Sequence, residues 1–212
     1  TGSNTAGTGT VTGVGFQPDF VWGKIRSTTG QHNLYDAVRG VGKRLISNVT
    51  DSEETNAAYG YLSAFDSDGF TTSAGSTNNE NFNQSGATYA SWNWKAGGTA
   101  VSNTAGSITS SVSANTTAGF SIVSWTGNNT AGATIGHGLS STPSMIIVKN
   151  RNAVTNWRVY HQALGNTGAL ALQDTTAVAT SIGYWNDTSP TSSLVTLGSS
   201  DQANGANPMV AY

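Results

Sequence analysis

Two aspartates are the side chains that this sequence offers most directly for binding a metal ion. Asp66 and Asp68 stand at alternate positions before Gly69, as the acids of some calcium-binding loops do. No glutamate follows at the spacing of an EF-hand, and aspartates in hairpin turns also accept hydrogen bonds from nearby backbone. We keep Asp66 and Asp68 as a calcium candidate, with a hairpin turn as the simpler interpretation and no other cofactor implied.

Aromatic side chains are the candidates for contact with a glycan. Trp157 and Tyr160, with an arginine between them, resemble the flat platforms on which sugar rings stack. Trp185 and Asn186 place a ring beside a hydrogen-bonding amide in a predicted loop. The six tryptophans mostly lie in strand patterns, so core packing is the default expectation for each of them, and Trp185 is the one that we expect to be most exposed.

The sequence contains no convincing catalytic set. His32, His137 and His161 are its only imidazoles, and acid–base or metal chemistry would require them to converge with carboxylates. Glu53 and Glu54 are adjacent, so on a helix their side chains would not face the same way. A retaining glycosidase, by contrast, needs two carboxylates about 5 Å apart. We therefore expect no enzyme activity.

The composition is typical of an all-β protein. Charged residues make up 9% of the 212, against roughly 25% in an ordinary globular domain. There are 26 glycines, whereas the strong helix formers Lys, Glu and Leu are scarce. Six Trp, seven Tyr and six Phe supply enough apolar area for a core, which a disordered Ser/Thr/Gly linker would lack.

Charge and hydropathy exclude several kinds of partner. The net charge is −2 and no basic block is present, so a nucleic-acid partner has no electrostatic basis. No apolar run approaches the roughly 18 residues of a membrane-spanning helix, so we expect no membrane insertion. The absence of cysteine excludes disulfides and thiolate metal sites. A polar, nearly uncharged surface suits a protein outside the cell or within a large assembly.

An internal repeat organises the chain at an offset of 125 residues. Residues 1–7 match 126–132. The segment 18–26 matches 143–151, since each begins with a proline, continues with an apolar run and ends with a lysine and an arginine. Further matches continue at this offset, which slips to 120 near the end of the chain. A duplicated domain explains so many matches with so few gaps.

The repeat predicts a domain organisation in three parts, at 1–98, 99–118 and 119–212. A strand is predicted at the start of the last part but has no counterpart before Thr1, so we expect the first unit to lack its opening strand. The last unit is likewise expected to be incomplete after Tyr212. The middle part is either a flexible linker or an edge strand, and the spacing of Ile108 and Val112 favours the strand.

Each unit is predicted to be an antiparallel β-sandwich of the jelly-roll or concanavalin-like kind. Short apolar segments bounded by turn residues indicate strands, which in the first unit lie at 19–25, 33–38, 44–48, 61–65, 70–72 and 88–94. The segment 51–58 has local helix character, with Asp51 as an N-cap and Glu54 three residues later. An open edge of the first sandwich would accept a strand from outside the chain.

Several motifs resemble a tandem domain of tailed bacteriophage proteins. They are GFQPDFVW at 15–22, LYDAVRG at 34–40, FDSDGF at 65–70, WNWKAGG at 92–98 and GHGL at 136–139. The resemblance covers essentially the whole chain. One departure is Asn93, where many members of that group carry a cysteine.

The resemblance implies a place in a large virion protein of a marine phage, often beside concanavalin-like lectin modules. It implies a fibre, appendage or surface-decoration role on the virion surface, with other virion proteins and further copies of the chain as partners. It supplies no catalytic residues. We thus carry three hypotheses, in order: a structural virion module, a module that binds host-surface glycans, and an enzyme that cleaves them.

Overall fold

The computed structural model describes residues 8–77 and 81–212 and confirms the all-β fold class. About 41% of the residues lie in strands and 5% in helices. The paired strands among the described residues are antiparallel, and a single isolated bridge between Ile108 and Ile135 is parallel. Several antiparallel sheets with apolar inner faces give a β-sandwich-like architecture.

The chain forms two compact units. The first runs to Ser47 and resumes over Glu53–Lys95, while the second takes Asn48–Ser52 and Ala96–Tyr212. The bounds therefore differ in detail from the three parts predicted from the repeat, since the short segment Asn48–Ser52 belongs with the second unit.

The first unit contains two sheets. Its strands are β1 (Thr8–Val11), β2 (Phe20–Ile25), β3 (His32–Asp36), β4 (Lys43–Ile46), β5 (Glu54–Thr55), β6 (Tyr61–Asp66), β7 (Gly69–Ser73) and β8 (Tyr89–Trp94). The larger sheet has the order β5-β4-β3-β2-β8, and the smaller has the order β1-β7-β6. Among the described residues, β8 and β1 are therefore edge strands.

The core of the first unit lies between its two sheets. Val21 and Tyr35 from the larger sheet pack with Leu62 and Phe70 from the smaller one, and each of the four is 2% exposed or less. These positions face the core because alternate side chains of a strand point to the same face of its sheet. Burying an apolar side chain such as Val21, Leu62 or Phe70 stabilises the fold by about 1.5–3 kcal/mol.

One prediction for the first unit is confirmed and one is wrong. The predicted hairpin is present, with Asp66 paired to Gly69 at the β6–β7 turn. The helix predicted over 51–58 is absent, and Glu54 and Thr55 form β5 instead, paired with Arg44 and Lys43. Ladder hydrogen bonds at a sheet edge outweigh the local helix preference of this short segment.

The second unit is built on one large sheet. Its elements are β9 (Val101–Asn103), β10 (Ser110–Asn115), β11 (Phe120–Thr126), β12 (Ala133–Gly136), β13 (Met145–Asn150), β14 (Arg158–His161), β15 (Gly168–Ala171), β16 (Ala179–Thr180), α1 (Ile182–Trp185), β17 (Leu194–Leu197), α2 (Asp201–Asn204) and β18 (Pro208–Ala211), with a 3-10 turn at Gln162–Leu164. The sheet order is β16-β15-β14-β13-β18-β11-β10-β9, and β12 pairs with β17.

Residues 99–118, interpreted from sequence as a linker or an edge strand, contain β9 and β10. These two strands pair with each other, and β10 pairs with β11. The main cluster of the second unit includes Val123, Trp125, Ile146, Leu197 and Met209, each 4% exposed or less. No helix within the described residues is long and apolar enough to cross a membrane.

Candidate binding surfaces

The predicted aromatic platform is not formed, because its rings are buried. Trp157 is 0% exposed and Tyr160 is 4% exposed. The two positions are three apart along extended backbone, so their side chains leave it on opposite faces. Arg158 between them is buried as well, with its guanidinium carbon 4.5 Å from the ring centroid of Tyr184.

Trp185 is also buried, so the prediction that it is the most exposed tryptophan is wrong. It is 1% exposed, its ring meets Tyr160 edge-on at 5.9 Å, and its Nε1 donates to the carbonyl of Gly168 at 3.0 Å. The helical turn α1, which Ser181 caps by accepting from Gly183 N–H, directs this ring into the core. A ring enclosed in this way offers no face to a sugar.

Asn186 is the one glycan-contact candidate that is partly exposed. It ends α1 in the left-handed conformation, with φ 50° and ψ 36°, and its N–H donates to the carbonyl of Ile182 at 2.9 Å. This conformation is one that Asn adopts more readily than most residues. A structural role at the end of the helix therefore accounts for its presence.

The carboxylates of the calcium candidate both accept hydrogen bonds from nearby groups. Asp68 Oδ2 accepts from Gly13 N–H at 2.9 Å, and Asp68 Oδ1 accepts from Gly15 N–H at 2.6 Å. These two bonds hold the pKa of Asp68 below its usual range. Asp66 Oδ2 accepts from the Thr71 hydroxyl at 2.7 Å. The pair therefore braces the hairpin and the turn that leads towards β2.

Exposed tryptophans occur on β8, where the sequence patterns had favoured core positions. Trp92 is 52% exposed and Trp94 is 37% exposed. Trp92 lies directly opposite the partly buried Trp22 of β2, so the two share the outer face of the sheet. The alternation of Trp92 and Trp94 around Asn93 was the signal for this placement, because it puts both indoles on one face.

A buried lysine and a buried arginine have internal partners in place of a ligand. Lys149, 0% exposed, donates to the carbonyls of Thr50 at 3.0 Å and Thr155 at 2.8 Å, and burial lowers its pKa to about 8. Arg39 pairs with Asp36 and with Glu53, the latter at 2.9 Å. Both cations hold loops in place.

Two of the three imidazoles accept hydrogen bonds from backbone N–H groups. His137 accepts at Nδ1 from Leu139 N–H at 3.3 Å, and burial lowers its pKa. His161 accepts from Ala163 N–H at 3.2 Å and so caps the 3-10 turn. Over 8–77 and 81–212, no group of three or more His, Asp or Glu side chains is arranged to hold a metal ion.

These features define an all-β protein with β-sandwich-like packing, few charges and an exposed aromatic face on an edge strand. The chain belongs to the family described as domain of unknown function DUF7483, whose model matches residues 1–212. No curated protein and no solved structure matches it.

Proposed function

We propose that this chain is a structural module of a tailed-phage virion protein, in a fibre, an appendage or a surface decoration. It acts by assembly with other virion proteins and further copies of itself, through burial and main-chain pairing, and it turns over no substrate and needs no cofactor. The observation that carries the proposal is the edge strand β8, which combines a sheet edge with the exposed rings of Trp92 and Trp94. Exposed edges of this kind are natural sites of association.

We also propose that the two units are duplicated sandwiches of the jelly-roll kind. The sheet order β5-β4-β3-β2-β8 has a counterpart in β16-β15-β14-β13-β18. The registers correspond too: the pair Val21–Tyr35 matches Ile146–Tyr160, both at the offset of 125 residues. Agreement of strand order and register together supports a common origin more strongly than the sequence matches alone.

The two units do not correspond in every strand. The β1–β7 pair corresponds to β12–β17, where Phe70 matches Leu194 at an offset of 124 residues. In the second unit α1 precedes β17, and no strand there takes the place of β6 within the described residues. An experimental structure tests the duplication, because residues 20–46 must superimpose on 145–171 along their strands.

The assembly role has a direct test in purified phage particles. We expect mass spectrometry to find the chain in intact particles, and antibodies against it to label a fibre, a tail or the shell in electron micrographs. Particles that infect normally and contain none of the chain would contradict the proposal.

Glycan binding is the second candidate, and the exposed face of β8 is the observation that favours it. Trp92 and Trp22 lie side by side on adjacent strands, so their rings offer an area on which a sugar ring can stack. We expect Trp92→Ala to abolish binding to a glycan array, whereas Trp185→Phe, a change in a buried ring, preserves it. Absence of array and host-cell binding by the wild-type chain would remove this candidate.

A further inference from the structure

We propose that the first unit has a docking groove for one extended strand, which pairs antiparallel with β8 and has the alternating apolar pattern of β11. The strand comes from a neighbouring module of the same family. This inference deepens the assembly role and rests on it.

The main chain of β8 is oriented to accept such a strand. Arg26 N–H donates to the carbonyl of Thr88 at 2.7 Å, which sets the phase of the β2–β8 ladder. Residues at every second position from Thr88 therefore bond to β2, as Trp92 does opposite Trp22. The N–H and C=O groups of Ser91 and Asn93 consequently point away from β2, towards the edge of the sheet.

A groove runs beside this edge. Its volume is about 310 Å³, and it lies between the edge strands of the two sheets of the first unit. Val11, Phe70 and Phe82 contribute apolar walls, while Tyr89 and Ser91 form the side next to the sheet edge. None of the lining side chains carries a charge, so the groove suits an uncharged apolar strand.

In the second unit, the sheet position that corresponds to the open edge of β8 is occupied by a strand. There β18, the counterpart of β8, is not at the edge, because β11 pairs with it. Val123 lies opposite Ala211 and Trp125 lies opposite Met209. Both β11 side chains are 4% exposed or less and belong to the main cluster of that unit.

The register of the incoming strand follows from this correspondence. Ser91 corresponds to Ala211, because their partners Gly23 and Val148 occupy matching positions in β2 and β13. The incoming strand therefore places a valine-like residue opposite Ser91. Two positions further along it places an aromatic ring opposite Tyr89, within reach of the groove.

A peptide of residues 119–126, with a Lys–Lys tail for solubility, tests the docking in trans. We expect it to bind the full chain saturably in calorimetry and to slow hydrogen exchange at the amides of Ser91 and Asn93. The same peptide N-methylated at Val123, whose N–H would meet β8, is expected not to bind. N-methylation at Ser124, whose N–H points the other way, is the matched control and is expected to preserve binding.

Substitutions in the chain provide the reciprocal test. Ser91→Pro removes an outward-pointing N–H from an edge strand without removing a β2–β8 hydrogen bond, so the fold is retained and peptide binding is lost. Ser91→Thr keeps the N–H and is expected to bind as the wild type does. The N-methylated peptides keep the test valid if Ser91→Pro does not fold.

Two results would overturn the inference: no binding of the peptide by the wild-type chain, or binding that survives both Ser91→Pro and N-methylation at Val123. Either result would leave the assembly role standing if the chain is still found in particles. Absence of the chain from particles, with peptide binding intact, would remove the assembly role and keep the groove.

Discussion

Lys149 is a single charged residue with a structural role in this protein. Its ammonium group is enclosed, and it donates to the main-chain carbonyls of Thr50, Ala153 and Thr155 at 2.8 to 3.1 Å. Neutral carbonyls compensate only part of the lost hydration, so burial lowers the pKa to about 8, and the charge of Asp51 opposes this shift. The lysine thereby holds the segment Asn48–Ser52 within its unit.

This burial predicts a pH dependence of stability. An unfolded lysine has a pKa of about 10.4, so between about pH 8 and pH 10 the unfolded chain binds more protons than the folded one. The free energy of unfolding should therefore rise with pH in this window, by up to about 3 kcal/mol from Lys149. Urea unfolding of the wild type and Lys149→Met across this range measures the effect as their difference.

Two comparisons isolate the contribution of Lys149. Burial raises the pKa of Tyr35, which lowers stability at still higher pH in both proteins and cancels in the difference. Lys24→Met changes the matching, partly exposed lysine of the first unit and is the control for the loss of one lysine charge. A difference between wild type and Lys149→Met that is flat with pH would contradict the prediction.

At the scale of elements, a turn and a hairpin are joined through Asp68. Its two carboxylate oxygens accept from the N–H groups of Gly13 and Gly15, both of which have positive φ angles above 80°. The backbone there adopts a conformation that glycine tolerates and other residues seldom do. The charged form makes these bonds best, so their stabilisation is present above about pH 4 and declines as Asp68 is protonated at lower pH.

We expect Asp68→Asn to lower the melting temperature, because an amide offers one acceptor oxygen in place of two. Ser67→Ala, at the neighbouring exposed position, is the control and should melt as the wild type does. Calcium should leave the melting temperature of all three proteins unchanged if the carboxylate serves the turn. A calcium-dependent rise in the wild type, lost in Asp68→Asn, would restore the metal interpretation.

The end of α1 supplies a second prediction at this scale. Asn186 has a φ angle of 50°, which a β-branched residue adopts only at a cost of roughly 1–2 kcal/mol. Asn186→Val should therefore destabilise the fold by about this amount, whereas Asn186→Gly should be tolerated. Chemical denaturation of the two variants measures the difference, and equal stabilities would show that the helix end relaxes.

Over the whole molecule, the small number of charges governs solubility. The net charge is −2 at pH 7 and the isoelectric point is about 5.8. With 9% charged residues, little electrostatic repulsion opposes association near that pH. We expect light scattering to show the strongest self-association close to pH 5.8.

A double variant gives this prediction a quantitative control. Val101 and Val154 are 65% and 71% exposed, and changing both to Lys adds two positive charges, so the net charge at pH 7 moves from −2 to 0. The association maximum should then move towards pH 7. A maximum that stays in place would assign the association to the exposed tryptophans and not to net charge.

Strand positions were predictable from local pattern. The segments 19–25 and 88–94 became Phe20–Ile25 and Tyr89–Trp94, since alternation and flanking turn residues are properties of neighbouring positions. The hairpin at 61–72 followed from the same signals. The strand within 51–58 could not be predicted in this way, because it forms by pairing with the edge of β4 and not through the secondary-structure preference of its own residues.

Burial of the aromatic rings was decided by tertiary packing alone. A sequence shows that Trp92 and Trp94 share one face, but whether that face meets a second layer depends on segments far along the chain. The same holds for Trp157 and Trp185, whose rings the fold encloses. Composition and periodicity thus established an all-β chain, and contacts between distant segments determined which of its surfaces remain open.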